Sequence, residues 1–462
     1  MKNSMSQPII QGGMGFNISS WPLARTISML GQRGTIAGTA LERVMAEILR
    51  RGDLDGHFRR ALAHFPFPHI ADQVIDAFYV EGGIDNDASR ATPVWSINPS
   101  KLLISLTVCA NYACVWLAKE GHEYPISINY LEKIAIPHIY AITGAMLAGV
   151  DFVTMGAGIP LQIPEVLKAV AEHRTATYRL PVVGKNITSH TMSFDPRIFF
   201  GEKLPEMKRP GFLPIISSNL LGLIFTDPRR ISEGSVQGLV IEEPTAGGHN
   251  APPRRPPDYG EKDIVDYNKI ADLGLPFWIG GSYASPEKLK WAQSVGATGI
   301  QVGTIFALCN ESEMRPDIKA RVRQLGFEGK LKVRTDMLFS PSGYPFKVAI
   351  LDGTVAIPTV YEKRERLCIH GALLTLFERP DGSIGYRCPS EPTARFVEKG
   401  GSVGETEGRG CICAGLYATA GLSDGEPPVV TLGDNVSFLR RIMASAISSY
   451  SAEDAVRYLL SR

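Results

Sequence analysis

Cysteine is scarce in this chain of 462 residues: seven in all, an odd number, too few and too scattered for a disulfide scaffold. A reducing, cytoplasmic setting is the simpler expectation. Neither charge is in excess, since 48 Lys and Arg stand against 47 Asp and Glu. Surfaces for nucleic acid or anionic lipid usually carry a surplus of Lys and Arg, so neither a nucleic-acid nor a membrane partner is expected. The N-terminal MKNSMSQPIIQGGMGFNIS lacks a continuous apolar run and a small-residue cleavage site, and no secretory signal is read there. Long apolar runs are also rare. The longest, Leu102 to Ala118, is slightly short for a membrane span and carries Asn111, so it reads as a buried helix. What is present is an ordinary globular composition, 44% hydrophobic, with enough Gly (46) and Pro (32) for many turns.

Short apolar runs alternate with helical patterns through the first three hundred residues. Strands are expected at Pro8 to Gly13, Gly34 to Gly38, Pro125 to Tyr130, Asp151 to Gly156, Phe212 to Ser217, Val236 to Glu242, Pro276 to Gly281 and Gly299 to Gly303. Runs such as GLVI and PFWI suit strands buried on both faces of a parallel sheet, and eight of them suit a closed (β/α)₈ TIM barrel. The α/β barrel would occupy residues 1–310, interrupted by a helical insertion after strand two (about 41–124) and a hairpin insertion after strand four (about 175–211). Residues 311–462 then form a C-terminal extension, ending in a helical pattern from Asn435 to Leu460.

Small residues gather at the expected C-terminal ends of the strands. Gly280 and Gly281 end strand seven, and Gln301, Val302, Gly303 and Thr304 end strand eight. Glycines there expose backbone N–H groups, the makings of a phosphate cradle at the position where barrels usually hold one. Strand six runs into Glu242 and then Gly247-Gly248-His249, where two glycines let a flat ligand approach and the His suits proton transfer at a substrate carbon. Strand one leads into Gln11-Gly12-Gly13-Met14-Gly15, and strand four into Met155-Gly156-Ala157-Gly158-Ile159-Pro160. A merely structural barrel does not require small residues at four strand ends.

In order along the chain, QGGMG, SINYLE, MGAGIP, AGGH, GGSYASPE, QVGT and TDMLFSPSGYPFKV resemble the nitronate monooxygenase (2-nitropropane dioxygenase) family. That family shares its FMN barrel with flavin-dependent enoyl-acyl-carrier-protein reductases of bacteria. The segments IGYRCPSEP and GRGCICAGL resemble a longer bacterial branch of it. The resemblance implies FMN phosphate held by Gly280, Gly281, Gln301, Val302, Gly303 and Thr304, and the flavin ring beside Met14 and Gly15. It also implies cofactor contacts from Asn129, Glu242, Gly247 and Gly248, and catalysis by His249 as acid/base or as electrostatic partner of an anionic substrate. Seven positions before this His the monooxygenases typically have Gln and the reductases Glu; here it is Glu242. Ile159 stands where the family usually has Asn.

The favoured expectation is oxidation of an alkyl nitronate by O₂. The alternatives are NAD(P)H-dependent reduction of an enoyl thioester, and a flavin-free barrel serving as a binding module. A homo-oligomer is compatible with either enzyme. Cys368, Cys388, Cys411 and Cys413 could supply four thiolates to a Zn²⁺ that staples the loop-rich extension. Their spacing lacks paired C-x₂-C knuckles, and a plain set of reduced cysteines remains the competing reading.

Overall fold

The structure, a computed structural model, describes residues 5–84, 92–232, 234–423 and 425–461. In chain order the first strands are β1 (Ile9–Gln11), β2 (Gly34–Ala37), β3 (Ile126–Leu131) and β4 (Phe152–Gly156). A hairpin of β5 (Ala176–Pro181) and β6 (Ser189–Phe194) follows, then β7 (Gly211–Ile216), β8 (Leu239–Glu242), β9 (Phe277–Gly280) and β10 (Gly299–Val302). Eight of them form one parallel sheet in the order β1-β10-β9-β8-β7-β4-β3-β2. Its ends meet where the Gln11 N–H donates to the Arg33 carbonyl and the Arg33 N–H to that of Ile9. The fold is therefore the expected (β/α)₈ barrel, with helices inserted after β2, a hairpin after β4 and an extension at the C-terminus.

Ile10, Phe152, Leu213, Val240 and Trp278 pack inside the barrel toward the strand N-termini. The Arg33 guanidinium stacks among them, 4.1 Å from the Phe152 ring and 4.8 Å from that of Trp278. Burial lowers its pKa to about 9. The barrel is thus filled below and open only at the strand C-termini, as such barrels are.

The insertion after β2 includes helices Leu41–Arg50, His57–Leu62, Pro68–Phe78 and Lys101–Lys119. The last is long and apolar enough to cross a membrane by length and composition, but most of it is buried, packed on Leu41–Arg50 and His138–Leu147. Ser100 caps it by accepting from the Leu103 N–H. Asn111 is satisfied inside the core, its Oδ1 accepting from the Tyr130 hydroxyl at 2.8 Å. Strand β5 alternates buried and exposed residues, with Ala176, Tyr178 and Leu180 turned inward.

In the extension, helix Pro316–Glu328 precedes the antiparallel pairs β11 (Lys332–Asp336) with β12 (Phe346–Ile350) and β13 (Thr375–Glu378) with β14 (Ile384–Arg387). Lys319 is buried, and its Nζ donates to the carbonyls of Cys309, Asn310 and Ser312 at 2.9, 3.0 and 2.8 Å. Lys319→Met would strip the Asn310 and Ser312 carbonyls of this donor and should cost about 2 kcal/mol or more; an unchanged thermal midpoint would contradict this account. The helical pattern from Asn435 to Leu460 is realised as two short helices, Leu439–Ile442 and Ala452–Leu459. The serine-rich stretch between them breaks the turn, and Ser451 restarts it through a capping box with Asp454.

Candidate active site

One open cavity lies at the C-terminal ends of the barrel strands, with roughly 1520 Å³ of empty space, mouth included. The residues expected to catalyse or to touch the cofactor all line it, namely Met14, Gly15, Asn129, Glu242, Gly247, Gly248, His249, Gly280, Gly281, Gln301, Val302, Gly303 and Thr304, whereas Gln11, Met155, Gly158, Ile159 and Pro160 do not. Gly13 is required by close approach, since a Cβ there would lie 2.4 Å from that of Asn129. Asn129 is itself fixed by the Thr154 hydroxyl at 2.8 Å. Gly281 has φ +115°, which favours glycine. Gln301 Nε2 and Thr245 Oγ1 are buried without hydrogen-bond partners.

The C-terminal extension builds much of this cavity. Segment 431–435 crosses three strand ends. The Gly248 N–H donates to Thr431 Oγ1 at 2.7 Å, the Gly433 N–H to Thr304 Oγ1 at 2.9 Å, and the Asp434 N–H to the Thr245 carbonyl at 3.1 Å. Gly247 is tied to this strap, because a Cβ on it would lie 2.8 Å from the Leu432 carbonyl carbon. The start of β12 grips the same loop from the other side: the Lys347 N–H donates to the Gly248 carbonyl and the Asn250 N–H to that of Pro345. His249 is therefore held by its neighbours' backbone, with its ring edge-on to Phe346 and its Nε2 2.8 Å from Ser340 Oγ.

Charge in this wall is shaped by burial. Desolvation raises the Glu242 carboxyl to about 7, with Lys133 partly opposing it. Lys133 is brought down to about 7 by the same desolvation, with Glu242 opposing. The His249 imidazole is driven well below its usual value, first by burial and then by the Lys133 charge. It is a neutral ring at pH 7. Next to Glu242, the Glu243 carboxylate accepts from the Tyr267 and Tyr283 hydroxyls, which fixes the turn after β8.

No protein-family model matches the chain, and no curated protein matches it. Solved structures do. FabK from Thermotoga maritima aligns over 98% of this chain and 92% of its own, with 14% identity and a TM-score of 0.52. The shared feature is the fold. The nitroalkane oxidase from Streptomyces ansochromogenes aligns over 98% of this chain and 94% of its own, with 11% identity and a TM-score of 0.45. The enoyl reductase domain of MlnA from the macrolactin biosynthesis cluster of Bacillus amyloliquefaciens shows the same coverage, 10% identity and a TM-score of 0.48.

One expectation changes. The zinc staple is not supported: Cys368, Cys388, Cys411 and Cys413 do line one small, largely apolar pocket, but among the described residues no three His, Cys, Asp or Glu are arranged to hold a metal. Burial pushes the Cys388 and Cys411 thiols up to about 12, so they are protonated in this apolar pocket. The extension is instead pinned by hydrogen bonds and by the buried Arg364–Glu426 pair, 2.7 Å apart. Ile159 is half exposed and lies outside the cavity.

Several wall residues escaped the sequence reading: Leu373, Ile412, Leu416, Thr431, Gly433 and Asn435, all in the extension. Two signals were available: SPSGYPF, which carries Ser340 and stands directly before Lys347, and GRGCICAGL, which carries Ile412 and Leu416.

Proposed function

We propose that the chain is an FMN-dependent oxidoreductase that oxidises alkyl nitronates with O₂. The observation that carries the flavin reading is the convergence of Met14, Gly15, Gly280, Gly281, Gln301, Gly303 and Thr304 on one cavity at the strand C-termini. The residues fit the group: Gln301 Nε2 is a buried donor without an acceptor, and glycine backbone lines the wall where a flat ring and a phosphate need close approach. Gly280, Gly281, Gly303 and Thr304 would hold the phosphate, with Met14, Gly15 and Asn129 beside the ring. When bound, FMN accepts electrons from the substrate and passes them to O₂. His249, neutral and oriented by Ser340, takes the proton from the α-carbon of a neutral nitroalkane. The strap 431–435 and the β11–β12 connection hold that wall in place.

A second reading, reduction of an enoyl thioester by NAD(P)H, draws support from Glu242 at the position where the resembling reductases carry Glu. Anaerobic mixing separates the two. Bleaching of the flavin by a nitronate without NAD(P)H is expected; bleaching by NAD(P)H alone, with reoxidation by an enoyl thioester, would reverse the order.

Gly280→Val tests the cradle. The three atoms nearest a Cβ at Gly280 all belong to Gln301, at 3.4 Å or more, so the barrel accommodates that first carbon while the added methyls take space from the cavity. FMN affinity, read by fluorescence quenching, should fall about tenfold or more with little change in melting temperature. Equal affinity would remove the phosphate from this position.

A further inference from the structure

The cavity wall divides into two arcs. Gly280, Gly281, Gln301, Gly303 and Thr304, at or just after the ends of β9 and β10, form the glycine-rich one. In the closed order of strands β3 stands four places from β9, so the loop after β3 faces that cradle across the mouth. There the wall is apolar. Phe16 and Ile134, from the loops after β1 and β3, pack in one buried cluster with Phe346, Leu373, Ile412 and Leu416 of the extension, and all six line the cavity. Ile412 and Leu416 lie one turn apart on helix Ile412–Thr419, which puts them on the same face. None of the six side chains carries a hydrogen-bonding group. Phe346 also meets the His249 ring, with centroids 4.9 Å apart, so the apolar arc begins beside the proton-transfer group. The residues expected beside the flavin ring, Met14, Gly15 and Asn129, are not part of this cluster, which leaves the arc to the substrate.

We infer that this arc is an alkyl-binding subsite that selects substrates with an apolar chain of several carbons, the reacting carbon at His249 and the chain running past Phe346 toward Leu373, Ile412 and Leu416. The inference deepens the nitronate reading and rests on it for the identity of the reacting group. Each methylene taken out of water against such a wall should raise affinity up to about fourfold. A chain ending in a charge would meet no side-chain partner there and would lose its hydration. Four of the six residues belong to the extension, so chain selection is a property of residues 311–462 and not of the barrel alone.

Primary amides from acetamide to hexanamide are planar, neutral and non-reacting, and calorimetric titration of the flavin-loaded protein with this series is the experiment. Affinity should rise about threefold or more per added methylene, and a series that stays flat overturns the subsite. Succinamate, whose chain ends in a carboxylate, should bind about tenfold or more weaker than pentanamide; equal binding of the two overturns it as well. Leu373→Asn and Leu416→Asn each put a polar group into the arc, and should weaken hexanamide about tenfold but acetamide about twofold or less. Equal losses on the two amides, in whichever variant folds, would make these residues packing groups and overturn the assignment; if neither folds, the wild-type series and succinamate decide. Failure of the nitronate reading is seen separately, as absent bleaching of the flavin by the nitronates of nitroethane and 1-nitrohexane while the amide series still rises. If FMN does not bind, the amide series is measured on the flavin-free protein with the same criteria.

Discussion

His249→Ala should lower turnover on a neutral nitroalkane by about 10²- to 10⁴-fold, the usual worth of a positioned general base, while FMN affinity stays within about twofold of the wild type. The reason lies in the imidazole's surroundings. Burial and the Lys133 charge keep the ring neutral, and Ser340 Oγ at 2.8 Å with Phe346 alongside fixes its plane. A neutral ring can take a proton at pH 7, and because its pKa lies well below the ordinary value it stays competent as pH falls through 6.5. With a preformed nitronate no proton needs removing, so the variant should lose far less. Steady-state kinetics on both forms of one nitroalkane reads the difference; equal losses on the two would make His249 a binding or structural residue, and no loss on either would remove it from the reaction.

Arg364→Met should destabilise the protein by up to about 3–5 kcal/mol, because it removes the hydrogen-bonded counter-charge of buried Glu426 and leaves only the charge of Arg366 acting on it. Both side chains are almost wholly inaccessible, at 1% and 2% exposure, and Arg364 also donates to the Arg409 carbonyl at 2.7 Å. Desolvation already raises the Glu426 carboxyl, with Arg364 opposing. Glu426 lies just before the strap 431–435, and Arg409 reaches the carbonyls of Leu338 and Ser340, beside the His249 wall. Damage here should reach the cavity, so FMN affinity should fall together with the unfolding midpoint. The double variant Arg364→Met/Glu426→Leu removes both charges and should recover much of the loss. Denaturant unfolding of the three variants tests this; a single variant as stable as the wild type would show the pair to be dispensable.

The barrel was legible because its signals are local. Each strand is a short apolar run bounded by glycine or proline, and a strand buried on both faces needs nothing else to be recognised. The same locality explains the site glycines: Gly280 and Gly303 stand directly at strand ends, and their order along the chain orders them around the barrel. Cysteine count and spacing were a weaker guide. Cys368, Cys388, Cys411 and Cys413 do come together, but in apolar surroundings that keep thiols protonated.

The amino-acid order was sufficient for the eight strands, the two interruptions and the ring of small residues that one cavity gathers. The roof of that cavity belongs to tertiary structure. Gly248 and Thr431 are 183 residues apart, and the strap joins the barrel through backbone N–H groups that meet single threonine hydroxyls or a carbonyl far away in the chain, pairings that no local pattern announces. Lys133 is the clearest case. Nothing in YLEK marks it out, and only the folded chain, by laying the Tyr344 ring 3.5 Å from its Nζ, takes that ammonium out of water.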